Sequence, residues 1–221
     1  MTSSRVSPYP MTATASPPVS GPSWSIDPKR SALLVQHMQK YLVHALRDHA
    51  PVTELLANVS RLTRSARAAG VPVVYAVRVP QQRAGAPDGG RPVLLGPAPE
   101  VRVDAVVDVV QPQVGDTVLT AKRSSSFAGT QLPFILRRLG RDQLVVVGAT
   151  AGTEVLRTAA DAWTRDIESF VVSDAVVDRT AGDHATALRW LATTCASVVA
   201  TDSVLEAFRG PYTAAGTPRR N

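Results

Sequence analysis

Cysteine, aromatic residues and long apolar runs are all scarce in this chain, and each shortage argues against a class of protein. The single cysteine, Cys195, cannot form an internal disulfide, so we expect a cytoplasmic protein. No apolar run approaches the roughly 18 residues that a membrane-spanning helix requires. Residues 1–23 hold one charge and no apolar stretch, which argues against a secretory signal.

The positive charge is carried almost wholly by arginine. The net charge is +6, yet lysine occurs only at Lys29, Lys40 and Lys122. The arginines are scattered, and aromatic residues make up only 5% of the chain. This pattern favours a solvated arginine-rich surface over a nucleic-acid groove, so no nucleic-acid or membrane partner is expected. It is compatible with an anionic small-molecule substrate.

Short apolar runs alternate with amphipathic stretches along most of the chain. Residues 1–23, rich in Ser, Thr and Pro, predict an extended arm; 24–210 predict one α/β domain, and 211–221 a flexible tail. Continuous Val- and Leu-rich runs are typical of strands buried on both faces. Such strands are predicted at 32–36, 71–77, 117–120, 143–148, 168–173 and 197–201.

Helical periodicity occupies the segments between these strands. Helices are predicted at 53–70, 130–140, 153–166, 182–196 and 203–208, with a further helix opening at 38–43, whereas the Pro- and Gly-rich residues 80–100 predict a loop. Strands and helices in alternation predict a parallel sheet with helices on both faces. Ligands bind such sheets beyond the carboxyl ends of the strands. His37, Arg78, Lys122 and the segment GATAGTE (148–154) occupy those positions.

Motifs for cofactors and metals are missing. The chain has no GxGxxG after the first strand, no P-loop, no CxxC and no HExxH, so neither a cofactor nor a metal is predicted. Cys195 is predicted to lie within the helix 182–196 as a core residue, because a nucleophilic thiol needs exposure and a lowered pKa.

Several stretches, in order from 24 to 206, resemble the isochorismatase-like hydrolases, most closely the phenazine-pathway members that cleave 2-amino-2-deoxyisochorismate. They include WSIDPKRSALLVQHMQKYL, AKRSSSFAGTQL, GRDQLVVVGATAG, SDAVVD and TTCASVVATDSVLE, and a PYP motif precedes them. The resemblance implies a doubly wound, Rossmann-like three-layer fold with a six-stranded parallel sheet, and a homodimer.

The resemblance also implies a mechanism from which this chain departs. Amidase members use a Cys–Asp–Lys triad, whereas isochorismatases lack the Cys and hydrolyse a vinyl ether, releasing pyruvate. In that branch an Asp in the motif DMQ protonates the enol ether, and a Lys supports it. Here Lys122 matches the lysine, His37 replaces the Asp, and Glu154 stands at the position of the Cys. A cysteine amidase is therefore not expected.

Each of these three catalytic candidates has a structural alternative. Lys122 would hold a substrate oxygen and lower the pKa of His37, or it is an ordinary surface lysine. His37 would serve in acid–base chemistry near neutral pH, or it is a polar core residue. Glu154 would be its partner, or a first-turn carboxylate stabilised by the helix amino terminus.

Further residues are candidates for binding the substrate. Arg78, where the phenazine-pathway relative has a Gln, could grip a carboxylate bidentately. Thr150 and Leu95 replace aromatic residues of that relative, which alters the shape of the pocket. The full set is Arg78, Leu95, Arg123, Ser126, Phe127, Thr150 and Gly152.

Two functions remain open at this stage. The first is an enzyme of specialised, antibiotic-type metabolism with a rebuilt acid–base site for an anionic cyclic or chorismate-derived intermediate. In its conservative form it still hydrolyses an enol ether, and in its radical form it acts as a different hydrolase, a lyase or an isomerase. The second is a catalytically silent relative that binds a ligand or serves as a scaffold.

Overall fold

A six-stranded, all-parallel sheet forms the centre of the protein. The computed structural model describes residues 8–11, 21–78 and 106–210. The strands lie side by side in the order β3-β2-β1-β4-β5-β6, as the doubly wound fold requires. Their bounds are β1 Ser31–Gln36, β2 Val73–Arg78, β3 Thr117–Ala121, β4 Gln143–Ala149, β5 Glu168–Val177 and β6 Ala196–Val199.

Helices cover both faces of this sheet. The described residues form α1 Lys40–Leu46, α2 Val52–Ala68, α3 Leu132–Arg138, α4 Leu156–Trp163, α5 Ala181–Thr194 and α6 Thr201–Arg209. Buried residues of α1, α2 and α6 pack on one face, and those of α3, α4 and α5 on the other. The predicted three-layer α/β fold is confirmed. In the described part of the chain, no helix is long and apolar enough to cross a membrane.

Burial on both faces explains the continuous apolar runs. In β1, Leu33 and Val35 contribute to one core cluster, whereas Ala32 and Leu34 contribute to the other. Successive side chains of a strand point to opposite faces, so a strand covered on both faces needs apolar residues at every position. The polar Gln36, also fully buried, breaks this rule where β1 ends.

Two helices differ from their predicted form. The segment predicted as one helix from 153 to 166 begins as a π-helical turn, Ala151–Val155, and continues as α4. Cys195 does not lie within α5: the helix ends at Thr194, and Cys195 has a non-helical backbone there. The prediction overran because neither Gly nor Pro marks this end. Cys195 is nevertheless buried, and burial raises its pKa to about 11.

Part of the predicted arm packs against the domain. The Tyr9 hydroxyl donates to the backbone oxygen of Asp178 and accepts from its backbone nitrogen, at 3.1 and 3.0 Å. The Tyr9 ring lies 5.7 Å from that of His184. Residues 1–7 and 12–20 of the arm, the predicted loop 80–100 with Leu95, and the tail 211–221 lie outside the described residues. The limits of the arm, domain and tail therefore stay predictions.

Candidate active site

Three of the candidate residues meet where the strand order reverses. Strand β1 lies between β2 and β4 and runs parallel to both, so the carboxyl ends of these three strands are neighbours at one edge of the sheet. His37 follows β1, Arg78 ends β2, and Glu154 lies in the π-helical turn that follows β4. This is the position at which open α/β sheets bind ligands.

His37 is fully buried and has an unusual backbone. Its φ of 52° lies in the left-handed region, which costs a non-glycine residue about 1–3 kcal/mol. Its backbone nitrogen continues the ladder by donating to Ala76 at 2.9 Å. Among the described residues neither ring nitrogen has a hydrogen-bond partner. Burial, reinforced by the charge of Arg78 and opposed by that of Glu154, lowers the pKa of His37 to about 4, so its ring is neutral at pH 7.

Glu154 is a buried carboxylate with several donors around it. Its Oε1 accepts from Arg78 Nη1 at 2.7 Å, in an ion pair. Its Oε2 accepts from the hydroxyls of Thr150 and Thr153 and from the Thr150 backbone nitrogen. Burial alone would raise the pKa of Glu154, but these hydrogen bonds and the charges of His37 and Arg78 outweigh burial and lower it. Glu154 is therefore ionised at neutral pH.

Arg78 is held in place by a glutamine side chain. Gln39 Oε1 accepts from the Arg78 backbone nitrogen at 2.7 Å, and Gln39 Nε2 donates to the Arg78 backbone oxygen at 2.9 Å. The chain turns away from the sheet at His37. The side-chain amide of Gln39 therefore takes the backbone hydrogen bonds of Arg78 that a longer β1 would have made. The Arg78 side chain is 37% exposed and that of Glu154 only 8%, so a ligand arriving from solvent meets the guanidinium first.

Lys122 makes no described contact with this cluster, although it directly follows Ala121, the register partner of Arg78. It follows β3, the outer strand, is exposed, and makes no hydrogen bond or ion pair within the described part of the chain. The lowered pKa of His37 agrees in direction with the sequence-based expectation, but its causes are burial and Arg78 rather than Lys122. Arg78 is the cation beside Glu154. A catalytic role for Lys122 stays a prediction that rests on the resemblance.

The remaining candidates lie in different surroundings. Ser126 is buried beneath the site, where Gln36 Nε2 donates to its hydroxyl at 3.0 Å and to the Glu154 backbone oxygen at 3.2 Å. Phe127 belongs to the core, with the Arg165 guanidinium 5.1 Å from its ring centroid.

Two further candidates lie at the surface of the domain. Arg123 is exposed. The Gly152 backbone nitrogen donates to Asp178 Oδ2 at 2.6 Å, which ties the turn that carries Glu154 to the end of β5. No described contact links the side chain of Arg123 to this turn.

Three residues of the site were not among the candidates. Gln36 bonds to Ser126 and to the Glu154 backbone, and Gln39 positions Arg78. Tyr41, on α1, is influenced by the charges of Arg78 and Glu154. Burial raises the pKa of Tyr41, while the charges of Arg78 and Glu154 act on it in opposite directions. The sequence signal for these residues was the pair Gln36 and Gln39 next to an apolar strand, because buried amide side chains need specific hydrogen-bond partners. The described residues hold no cluster of His, Cys, Asp and Glu suited to a metal ion.

Comparison with known proteins shows which family this chain belongs to. Residues 31–203 match the protein-family model of the isochorismatase domain. An isochorismatase of Bacillus subtilis is 37% identical over 227 residues, covering 98% of this chain and 72% of that protein. The phenazine biosynthesis protein PhzD of Pseudomonas fluorescens is 36% identical over 202 residues, covering 90% and 96%.

A solved structure agrees with these sequence matches. A putative isochorismatase from Burkholderia xenovorans superimposes with a TM-score of 0.68 at 27% identity, covering 82% of this chain and 88% of that one. The matched length includes β1, β2 and β4, whose ends carry the cluster of His37, Arg78 and Glu154. By sequence and by fold alike, the chain belongs to the isochorismatase family of hydrolases.

Proposed function

We propose that this protein is a hydrolase of specialised metabolism that acts on an anionic, cyclic small molecule through His37, Arg78 and Glu154. The observation that carries the proposal is the ion pair between Arg78 and Glu154 beside a fully buried imidazole. It supplies a cation for a substrate carboxylate, a group that can carry a proton, and a carboxylate that stabilises the protonated form. The names of the two relatives, an isochorismatase and a phenazine biosynthesis protein, suggest the class of substrate.

Vinyl ether hydrolysis is the conservative form of this reaction. A proton is added to the terminal carbon of the enol ether, water attacks the resulting cation, and the adduct collapses to pyruvate and an alcohol. Glu154 is ionised at neutral pH and cannot donate this proton, so His37 would donate it as an imidazolium. In the radical form the neutral ring of His37 would instead accept a proton, as in a lyase or an isomerase.

The pH dependence of pyruvate release tests the conservative form. Because the pKa of His37 is about 4, its protonated fraction increases as pH falls, while Glu154 stays ionised. We expect kcat/KM to rise about tenfold per pH unit between pH 7 and pH 5. Samples with isochorismate or its 2-amino-2-deoxy analogue are quenched, and pyruvate is then measured with lactate dehydrogenase at neutral pH.

Reactions without protein correct for spontaneous hydrolysis at each pH. A rate that is flat, or that falls as the solution becomes more acidic, would show that His37 is not the proton donor. Pyruvate at the background level throughout would rule out vinyl ether hydrolysis of these two substrates.

The two cations of the predicted site can be ranked by a paired substitution. Arg78→Met removes the partner of Glu154, whereas Lys122→Met removes an exposed side chain with no described partner. We expect kcat/KM to fall at least tenfold further for Arg78→Met than for Lys122→Met. Lys29→Met, an exposed lysine before β1, is the control. A larger loss for Lys122→Met would show that the family lysine remains the principal cation.

The second candidate function is a catalytically silent, ligand-binding relative. It is favoured by the engagement of Glu154, whose carboxylate is already bonded to Arg78, Thr150 and Thr153. A structural ion pair would show the same contacts. This function predicts binding of an anionic ligand without product from either substrate at any pH.

A further inference from the structure

We propose that a ligand carboxylate draws the Arg78 guanidinium away from Glu154, and that the freed Glu154 oxygen then holds His37 as an imidazolium, so that the site acquires its acid only when an anion is bound. This inference rests on the proposed function, since it assigns an anionic ligand to the same site. It adds a trigger: the substrate itself switches the protonation state of the site.

The unequal exposure of the three groups sets the order of events. Arg78 is 37% exposed, the Glu154 side chain is 8% exposed, and His37 is fully buried. An anion from solvent therefore reaches Arg78 before it reaches the other two. Only Nη1 of Arg78 bonds to Glu154, while a guanidinium has five N–H donors and binds carboxylates preferably with two of them. A ligand carboxylate can thus compete directly with Glu154.

The hydrogen bonds of Glu154 limit what this competition changes. Oε2 accepts from Thr150 and Thr153, which lie in the same turn and keep the carboxylate in place. Oε1 has only Arg78 as a described donor. Loss of the guanidinium therefore frees Oε1 without releasing the side chain. A carboxylate oxygen freed in a buried site needs another donor, because an unsatisfied buried acceptor is costly.

His37 is the donor that the site offers. Both of its ring nitrogens lack a partner among the described residues, although the ring is fully buried. The charged and titratable groups that act on it are Glu154 from the turn after β4 and Arg78 from β2, and Tyr41 on α1 is influenced by the same two charges. Glu154 favours the imidazolium and Arg78 disfavours it. An anion at Arg78 cancels the unfavourable charge, and the ring then takes one proton from solvent.

Histidine NMR with benzoate as the probe anion tests this coupling. The chain has four histidines, so ¹⁵N labelling of the rings gives few signals, and His37→Gln assigns the one of interest. Without benzoate we expect the His37 ring to stay neutral until the solution is well below pH 6. With saturating benzoate its titration midpoint should rise by at least one pH unit. Calorimetry in two buffers of different ionisation enthalpy should then show proton uptake on binding.

Two variants separate the steps. Arg78→Met should abolish both benzoate binding and the shift of the midpoint. Glu154→Gln should still bind benzoate through Arg78 but lose the shift, and Glu206→Gln, an exposed residue of α6, should behave like the unaltered protein. Benzoate that binds without moving the midpoint, that binds Arg78→Met equally well, or that does not bind at all would each overturn the proposal.

This test is independent of turnover. Proton uptake without any pyruvate would leave the anion-triggered switch standing while the proposed hydrolysis failed. Pyruvate release with an unmoved His37 midpoint would give the opposite result.

Discussion

Glu154→Gln lowers kcat/KM for pyruvate release by about 100-fold or more, if the site works as proposed. The substitution keeps the size of the side chain and an oxygen for Thr150 and Thr153, but it removes the negative charge. That charge favours the protonated form of His37. Without it the pKa of His37 falls further, and each unit of decrease costs tenfold in the fraction of active acid. Arg78, left without its partner, binds an anionic substrate at least as well.

Steady-state kinetics distinguish this effect from a loss of binding. The expected signature is a large fall in kcat with a KM that is unchanged or lower, because only the step that uses the proton is impaired. Glu206→Gln on α6 removes an equivalent charge from an exposed position and should leave both parameters unchanged. Equal activity in Glu154→Gln and the unaltered protein would assign Glu154 to a structural ion pair. Circular dichroism of both variants would check that they are folded.

Gly148→Ala is expected to destabilise the domain by about 4 kcal/mol or more, or to prevent it from accumulating. Gly148 pairs with Gln36 where β4 lies beside β1, and its φ is +117°. A Cβ at this position would lie 2.0 Å from the backbone oxygen of Gln36. The obstacle is backbone in the centre of the sheet rather than a movable side chain. The strands must therefore separate at the point that positions His37.

A second glycine provides the matched control. Gly115 also has a positive φ, +97°, but a Cβ there meets nothing within 4 Å. Gly115→Ala should therefore cost only the conformational strain, about 1–3 kcal/mol. Urea unfolding of both variants measures the difference, which isolates the steric contribution of Gln36. Similar losses of unfolding free energy in the two variants would contradict the close approach of β1 and β4.

Much of the fold can be predicted from the sequence because of how its strands are buried. A strand covered on both faces needs apolar residues at most positions, and the runs 32–35 and 144–147 meet that need. Parallel strands bring their carboxyl ends to one edge, so His37, Arg78 and Glu154 could be expected there before their contacts were known. The local hydrophobic pattern was enough to predict the strands and the edge of the sheet at which the site lies.

The partners within the site depend on tertiary structure and could not be predicted in the same way. Glu154 pairs with Arg78, rather than with the matching Lys122, because β2 lies beside β1 whereas β3 is the outer strand. The role of Gln39 follows from the turn of the chain at His37, whose positive φ no simple sequence pattern indicates. Ser126 and Phe127 match the lysine segment of the family, yet their burial is decided by packing beneath the site.

The anchoring of Tyr9 has a consequence for the order in which the molecule is assembled. Tyr9 and Asp178 are 169 residues apart, so their contact closes a loop that spans most of the chain. Contacts of such separation form late in folding, because the entropy of the intervening chain opposes them. During synthesis the arm leaves the ribosome before β5 and has no docking site until β5 is made. The side chain of Asp178 also accepts from Gly152 in the turn of Glu154, so the docking of Tyr9 and the placement of this turn depend on the same residue.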